Sequence, residues 1–141
     1  MSENRKLSRR ECRELIFKLL FAKEFDRESD PAVFYANYIE YTEEPTAEYV
    51  ENVFEGVCAA LPELDAELEA SSVRWKLSRM STATRSVLRM ALYEMTACGV
   101  PAKAEINEAL ELIKKYDEDS APAFVNGILN KIARDRGLIE A

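Results

Sequence analysis

Arginine and phenylalanine side chains recur near the start of the chain at a spacing suited to binding single-stranded RNA. Arg10, Arg13, Phe17 and Phe21 are three or four residues apart, so a helix would carry them on one face. Guanidinium groups bind phosphates through paired hydrogen bonds, and an exposed aromatic ring stacks on an unpaired base. The same spacing also fits a helix whose phenylalanines are core and whose arginines are merely solvated. The residues alone leave both interpretations open.

Charge is distributed unevenly along the chain. The net charge of −7 disfavours a nucleic-acid partner, because affinity for phosphates comes mainly from Lys and Arg. Residues 1–13 nevertheless carry the cations Arg5, Lys6, Arg9, Arg10 and Arg13 against only Glu3 and Glu11. Residues 71–93 contain no acid, and their cations are Arg74, Lys76, Arg79, Arg85 and Arg89. The first segment predicts a phosphate-binding surface, and the second fits a phosphate track, a partner-protein surface, or arginines around a buried Trp75.

The residue types of the chain give little support for an enzyme. The chain has no histidine, so it lacks the commonest general base and metal ligand. Cys12, Cys58 and Cys98 form no C-x-x-C pair, and we interpret them as buried thiols in a reducing cytoplasm. The acidic run at 117–119 lacks calcium-loop spacing and fits carboxylates ahead of a helix. No nucleophile elbow, phosphate-binding loop or dinucleotide-binding turn occurs. We therefore expect no enzyme, no cofactor and no metal site.

The elements that must position these residues are helices. Only four glycines and five prolines interrupt a chain rich in Ala, Leu, Glu, Lys and Arg, which favours an all-α fold. Capping and stop signals predict helices from Ser8 to about Asp26, from Asp30-Pro31, from Pro45-Thr46, from Pro62 through Leu68, around 73–77 with Trp75 inward, from Ser81 to Gly99, after Pro101, and from Ser120 to Gly137. The prediction is one compact bundle of about seven helices over residues 1–141, with an N-terminal half of about 1–70 and a C-terminal half of about 71–141.

The sequence also bears on where the protein works. No signal-peptide pattern opens the chain, and no apolar run approaches the roughly 20 residues needed to cross a bilayer. These features predict a cytoplasmic protein without a membrane partner.

Several segments resemble the signatures of the NusB family. Residues 106–116, INEALELIKKY, are followed by residues 124–131, FVNGILNK, in the family's order and spacing. Residues 85–95, RSVLRMALYEM, resemble a further signature, and residues 9–14, RRECRE, with Leu20 and Phe21 resemble the family's arginine-rich start. Only about residues 27–70 have no recognisable match. The resemblance implies an all-helical fold of two small helical subdomains.

The resemblance also implies a function and a set of contact residues. A NusB-like protein is a transcription antitermination factor that binds the boxA element of nascent ribosomal RNA with the ribosomal protein NusE and joins elongating RNA polymerase. Taken together, the helix face, the basic start and the resemblance assign RNA contacts to Arg5, Lys6, Arg9, Arg10, Arg13, Phe17, Lys18, Phe21, Arg89 and Phe124. They assign partner-protein contacts to Arg79, Thr84, Arg85 and Arg89.

The chain departs from the family pattern at several of these positions. Phe21 stands where the family has Tyr, which keeps a stacking face but loses the hydroxyl, Lys18 replaces a Gln, and Thr84 replaces an acid. Two other functions remain open at this point. One is a helical protein-interaction module with incidental RNA contact, and the other is a relative of the domain fused to ribosomal RNA cytosine methyltransferases, without the catalytic half. The sequence is compatible with either a monomer or a homodimer.

Overall fold

The structure is a computed structural model that describes residues 6–72 and 76–140. Within these ranges it contains helices and no strand, which confirms the predicted all-α fold. The α-helices are α1 (Arg9–Lys23), α2 (Pro31–Thr42), α3 (Glu48–Ala59), α4 (Leu61–Ser71), α5 (Thr82–Ala97), α6 (Ala102–Tyr116) and α7 (Ala121–Asp135), with a short 3₁₀ helix at Leu77–Arg79. The helix predicted around 73–77, with Trp75 turned inward, falls largely on residues 73–75, outside the described residues.

Most helix boundaries coincide with the predicted caps. Ser8 and Glu11 exchange hydrogen bonds between side chain and backbone, which forms the capping box of α1. The Asp30 carboxylate and the Ser81 hydroxyl each accept a backbone N–H three residues further on, at the starts of α2 and α5. Gly99 follows α5 with a φ of +70°, a conformation that only glycine adopts without strain. Each of these caps depends on residues only a few positions apart, so the sequence alone predicts them.

Two helix starts differ from the prediction. α3 begins at Glu48, later than expected, and its N-cap Ala47 offers no capping side chain. Thr46 cannot cap at this position, because its hydroxyl instead hydrogen-bonds the phenol of Tyr35 at 2.7 Å. Ser120 does lie at the N-cap of α7, but its side chain makes no capping hydrogen bond. The connection between α2 and α3 is thus held by a tertiary contact rather than by a cap.

Helix α5 lies at the centre of the bundle. It contacts α1, α3 and α4 as well as α6 and α7. Its buried side chains point in every direction around the helix axis and include Val87, Leu88, Met90, Ala91 and Leu92. Leu19, Leu20, Val125 and Ile128 are buried against this core. Helix α5 thus packs against helices from both the N-terminal and the C-terminal parts of the chain. The other helices surround it and turn their polar faces to solvent.

Helices α3 and α5 approach closely where a glycine faces a tyrosine. A Cβ atom built on Gly56 would lie 2.1 Å from the hydroxyl oxygen of Tyr93, which is closer than real Cβ contacts. The glycine therefore allows the Tyr93 ring to pack directly on the α3 backbone.

The three cysteines do not share one environment. Cys12 is buried, Cys58 is half-buried and Cys98 is exposed, so the expectation of three buried thiols is wrong for Cys98. None of the helices in the described ranges is long and apolar enough to cross a membrane.

Candidate nucleic-acid interface

The start of α1 carries its cations at the surface. Lys6, Arg9 and Arg10 are exposed, while Arg5 lies outside the described residues. The Arg9 guanidinium lies 3.6 Å from the ring centroid of Tyr49, in a cation–π contact. Arg10 donates from Nε and Nη2 to the carboxylate of Glu108 on α6, at 3.0 and 2.9 Å, and this hydrogen bonding raises the pKa of Arg10. The start of α1 therefore exposes Lys6, Arg9 and Arg10, and Arg10 is paired to an acid.

Arg13 has a different environment from Arg10. Only 11% of its side chain is exposed, and its Nε donates to Glu94 on α5 at 3.1 Å. Its Nη2 lies 3.4 Å from a carboxylate oxygen of Glu105 on α6. The predicted phosphate contact of Arg13 is not compatible with this position, because the helix turns the side chain inward and two acids bind it.

The two carboxyl groups beside Arg13 are fully buried. Burial raises the pKa of Glu105 strongly, and the nearby Glu94 raises it further. The Glu94 carboxylate also accepts a hydrogen bond from the Tyr49 hydroxyl. One guanidinium neutralises only one carboxylate, so this arrangement favours the protonated form of Glu105. This cluster joins α1, α3, α5 and α6, and thereby holds the basic start of α1 in place.

The aromatic residues of α1 separate into core and surface. Phe17 is only 2% exposed and packs on Tyr116 at a centroid distance of 4.7 Å, so it belongs to the core and offers no free face to a base. Phe21 is 37% exposed, with its ring 6.1 Å from that of Phe17. Phe25, which is not among the predicted contacts, is exposed, and its ring centroid lies 5.7 Å from that of Phe21. The continued four-residue spacing of the phenylalanines was the available signal for it.

Arg85 and Arg89 are engaged inside the protein. Both bind Glu24 at the end of α1, each through a hydrogen bond of 2.9 Å. Arg89 also donates twice to Asp65 on α4, at 2.8 and 2.9 Å. Because Arg89 is buried and ties α1, α4 and α5 together, its predicted contacts with RNA and with a partner protein conflict with its position. Arg85 is also largely buried, and its ion pair with Glu24 links α5 to the end of α1. Its predicted contact with a partner protein conflicts with this position.

A groove of about 560 Å³ lies between the start of α5 and the loop before α7. It brings together the predicted contact residues Arg79, Thr84 and Phe124. Arg79 is exposed and Phe124 is half-buried, but Thr84 is buried, so its predicted partner contact conflicts with its position. The Thr84 hydroxyl donates to Asp117 at 2.8 Å, and the Ser81 hydroxyl donates to the same carboxylate. Asp117, the first residue of the acidic run, therefore links the loop before α7 to the start of α5 through these two hydrogen bonds.

The remaining predicted contact is Lys18, in the middle of α1. It is half-buried, and its Nζ lies 3.6 Å from a carboxylate oxygen of Glu44. No group of three or more His, Cys, Asp or Glu side chains among the described residues is placed to hold a metal ion.

Comparison with known protein families and sequences gives consistent matches. The model of the NusB family matches residues 10–134. A transcription antitermination protein NusB of Thermoanaerobacter sp. strain X514 is 37% identical over 95% of this chain and 96% of its own length. The protein of the same name from Lachnoclostridium phytofermentans is 39% identical over 89% of this chain and 98% of its own.

Solved structures show the same arrangement of helices. The NusB structure from T. maritima superposes with a TM-score of 0.81 at 29% sequence identity, covering 97% of this chain and all of that one. A structure of antitermination factors NusB and NusE in complex with double-stranded RNA matches with a TM-score of 0.79 at 21% identity, covering 90% of this chain and 96% of that one. The second likeness establishes the fold alone.

Proposed function

Because this chain belongs to the NusB family, whose members are antitermination factors and not enzymes, we propose that it binds boxA-type single-stranded RNA together with a NusE-type ribosomal protein. In this proposal the complex joins elongating RNA polymerase in the cytoplasm and suppresses premature termination. A solved relative contains NusB, NusE and double-stranded RNA, which supports RNA and a NusE-type protein as the two partners. The preference for a single strand rests on the side chains of α1.

The observation that carries the proposal is the exposed face of α1. Arg10 lies at its start, Lys18 in its middle and Phe21 near its end, whereas Arg9 lies on another side of the helix, against Tyr49. Over the twelve residues from Arg10 to Phe21 a helix rises about 18 Å, at roughly 1.5 Å per residue. Cations along such a face pair with successive phosphates, and the half-exposed Phe21 ring offers a surface to an unpaired base. This combination suits a single strand better than a duplex, whose bases are already stacked.

The partner protein is assigned to the groove beside the start of α5. Arg79 is the exposed cation of this groove, and Phe124 is its half-buried aromatic residue. Arg85 and Arg89 do not line this groove and bind Glu24 instead. We therefore expect partner binding to depend on Arg79 directly and on Arg89 only through the position of α5. Phe124, which the sequence assigns to RNA, lines the same groove.

Titration of the purified chain with RNA tests the proposal. A boxA-like strand and a scrambled strand of equal length are each titrated with and without the NusE-type protein. We expect tighter binding of the boxA-like strand, and a further increase when the partner is present, because few exposed cations are available on the chain alone. Linkage then requires RNA to strengthen partner binding by the same factor. RNA affinity that is equal for both strands and indifferent to salt would instead support the protein-interaction module.

A further inference from the structure

A groove of about 220 Å³ separates α1 from α6, and two salt bridges cross it. Arg10 on α1 binds Glu108 on α6 at 2.9 Å, and Lys115 on α6 binds Glu14 on α1 at 2.7 Å. Each helix therefore supplies one cation and one carboxylate. The two bridges are reciprocal, and all four side chains line the groove.

Both salt bridges lie where solvent and ligands reach them. The exposed fractions of the cation side chains are 69% for Arg10 and 61% for Lys115. Exposed ion pairs add little to folding stability, because water screens them and ordering two long side chains costs entropy. The fold does not depend on these bridges, since the buried Arg13 already joins α1 to α6 beneath them. The contacts of Arg13 do not involve these bridges, so an open state keeps them.

The geometry at Arg10 is that of a bound oxyanion. Its Nε and Nη2 donate in parallel to the two oxygens of Glu108, which is also how a guanidinium binds a phosphate. The Glu108 carboxylate therefore occupies the position that a phosphate would take on Arg10. Lys115 donates a single hydrogen bond to Glu14, at 2.7 Å, and Glu14 also accepts a hydrogen bond from the Tyr116 hydroxyl.

We propose that the groove between α1 and α6 is a phosphate subsite of the RNA-binding face, closed in the free protein by Glu108 and Glu14. An RNA phosphate opens it by replacing these carboxylates on Arg10 and Lys115. The inference rests on the proposed RNA-binding function and adds two things to it. It assigns a phosphate contact to Lys115, which no sequence pattern selected, and it makes Glu108 an intramolecular competitor of RNA.

Substitution of Glu108 tests the competition. Glu108→Gln should raise the affinity for boxA-like and scrambled RNA alike, roughly two- to five-fold, since it releases Arg10 from an exposed ion pair. Glu40→Gln is the matched control, because it removes the same charge from an exposed position on α2. The gain should disappear when Glu108→Gln is introduced into an Arg10→Ala protein. Equal gains from both Gln variants, or a gain that persists without Arg10, would overturn the competition.

Substitution of Lys115 tests the phosphate contact. Lys115→Ala should lower RNA affinity and reduce the log-log salt slope by roughly 0.7, the value for one phosphate contact on a single strand. Lys114→Ala is the control, because Lys114 is equally exposed but pairs with Glu111 on its own helix. Equal effects of the two Lys variants would refute the subsite while leaving RNA binding intact. A wild-type chain that binds neither RNA would refute the proposed function, and the subsite with it.

Discussion

Arg13 on α1 and Glu94 on α5 form a hydrogen-bonded ion pair inside the protein, with 3.1 Å between Nε and Oε1. Glu105 on α6 adds a second carboxyl group to the same guanidinium. A buried ion pair contributes little net stability when intact, but removal of one partner leaves an uncompensated charge in a medium of low polarity. The position of α1 on α5 and α6 therefore depends on this cluster.

We expect Arg13→Ala to reduce the free energy of unfolding by about 3–5 kcal/mol, because it leaves the Glu94 carboxylate buried without a cation. Urea unfolding monitored by circular dichroism measures the change. Arg10→Ala is the control, since the Arg10 side chain is mostly exposed, and it should change stability little. A stable Arg13→Ala protein with weakened RNA binding would mean that Arg13 contacts phosphate after all.

Glu105→Gln should stabilise the protein by an amount that grows as the pH rises. Burial raises the pKa of Glu105 in the folded state above its ordinary value of 4.5. At a pH between the ordinary pKa and the raised one, the native protein binds a proton that the unfolded chain releases. The unfolding free energy therefore falls with rising pH, by at most about 1.4 kcal/mol per pH unit for one proton. Gln removes this dependence because it has no proton to lose.

Unfolding curves for the wild type and for Glu105→Gln, recorded from pH 5 to pH 9, test the sign of this effect. Glu108→Gln is the control on the same helix, because the hydrogen bond from Arg10 lowers the pKa of Glu108. The ion pair of Glu108 with Arg10 stabilises the wild type slightly at pH values above the ordinary pKa of a glutamate. Glu108→Gln should lose this small stabilisation across the measured range. Parallel wild-type and Glu105→Gln curves would show that Glu105 is already ionised in the folded protein.

Phe17→Ala and Phe21→Ala should have opposite consequences. Phe17 lies in the core, so its truncation should cost about 3–5 kcal/mol of folding stability. Phe21 is partly exposed, so its truncation should cost about 1–3 kcal/mol of RNA binding and less stability than Phe17→Ala. Urea unfolding and RNA titration on both variants separate the two roles. Tyr41→Ala, which removes an exposed ring from α2, should leave RNA binding unchanged.

Gly56→Ala should destabilise the protein by roughly 1–3 kcal/mol, the usual cost of overpacking, because the added methyl group collides with the Tyr93 ring. A second substitution, Tyr93→Ala, should remove the collision. The double variant is then less destabilised than the sum of the single changes, which a double-mutant cycle in urea detects. Strict additivity would show that helices α3 and α5 adjust without strain.

The sequence by itself determined the elements of the fold and the family to which the chain belongs. Helix starts such as Ser8 with Glu11, and stops such as Gly99, depend on hydrogen bonds and backbone angles within a few residues. A run of cations at the start of α1 is likewise visible without coordinates. Signature segments such as residues 124–131 then identified the family. All of these are local properties, which periodicity and residue type record directly.

Only the tertiary structure decided which charged side chains remain available to a ligand. Arg10 and Arg13 are three residues apart on one helix, yet one pairs with Glu108 at the surface and the other with Glu94 in the interior. Arg89 is likewise neutralised by Glu24, which is far away in the sequence. The burial of a charge depends on the helices packed against it, and its partner comes from one of them. The spacing of residues along a single helix therefore predicts neither the burial of a charged side chain nor the identity of its partner.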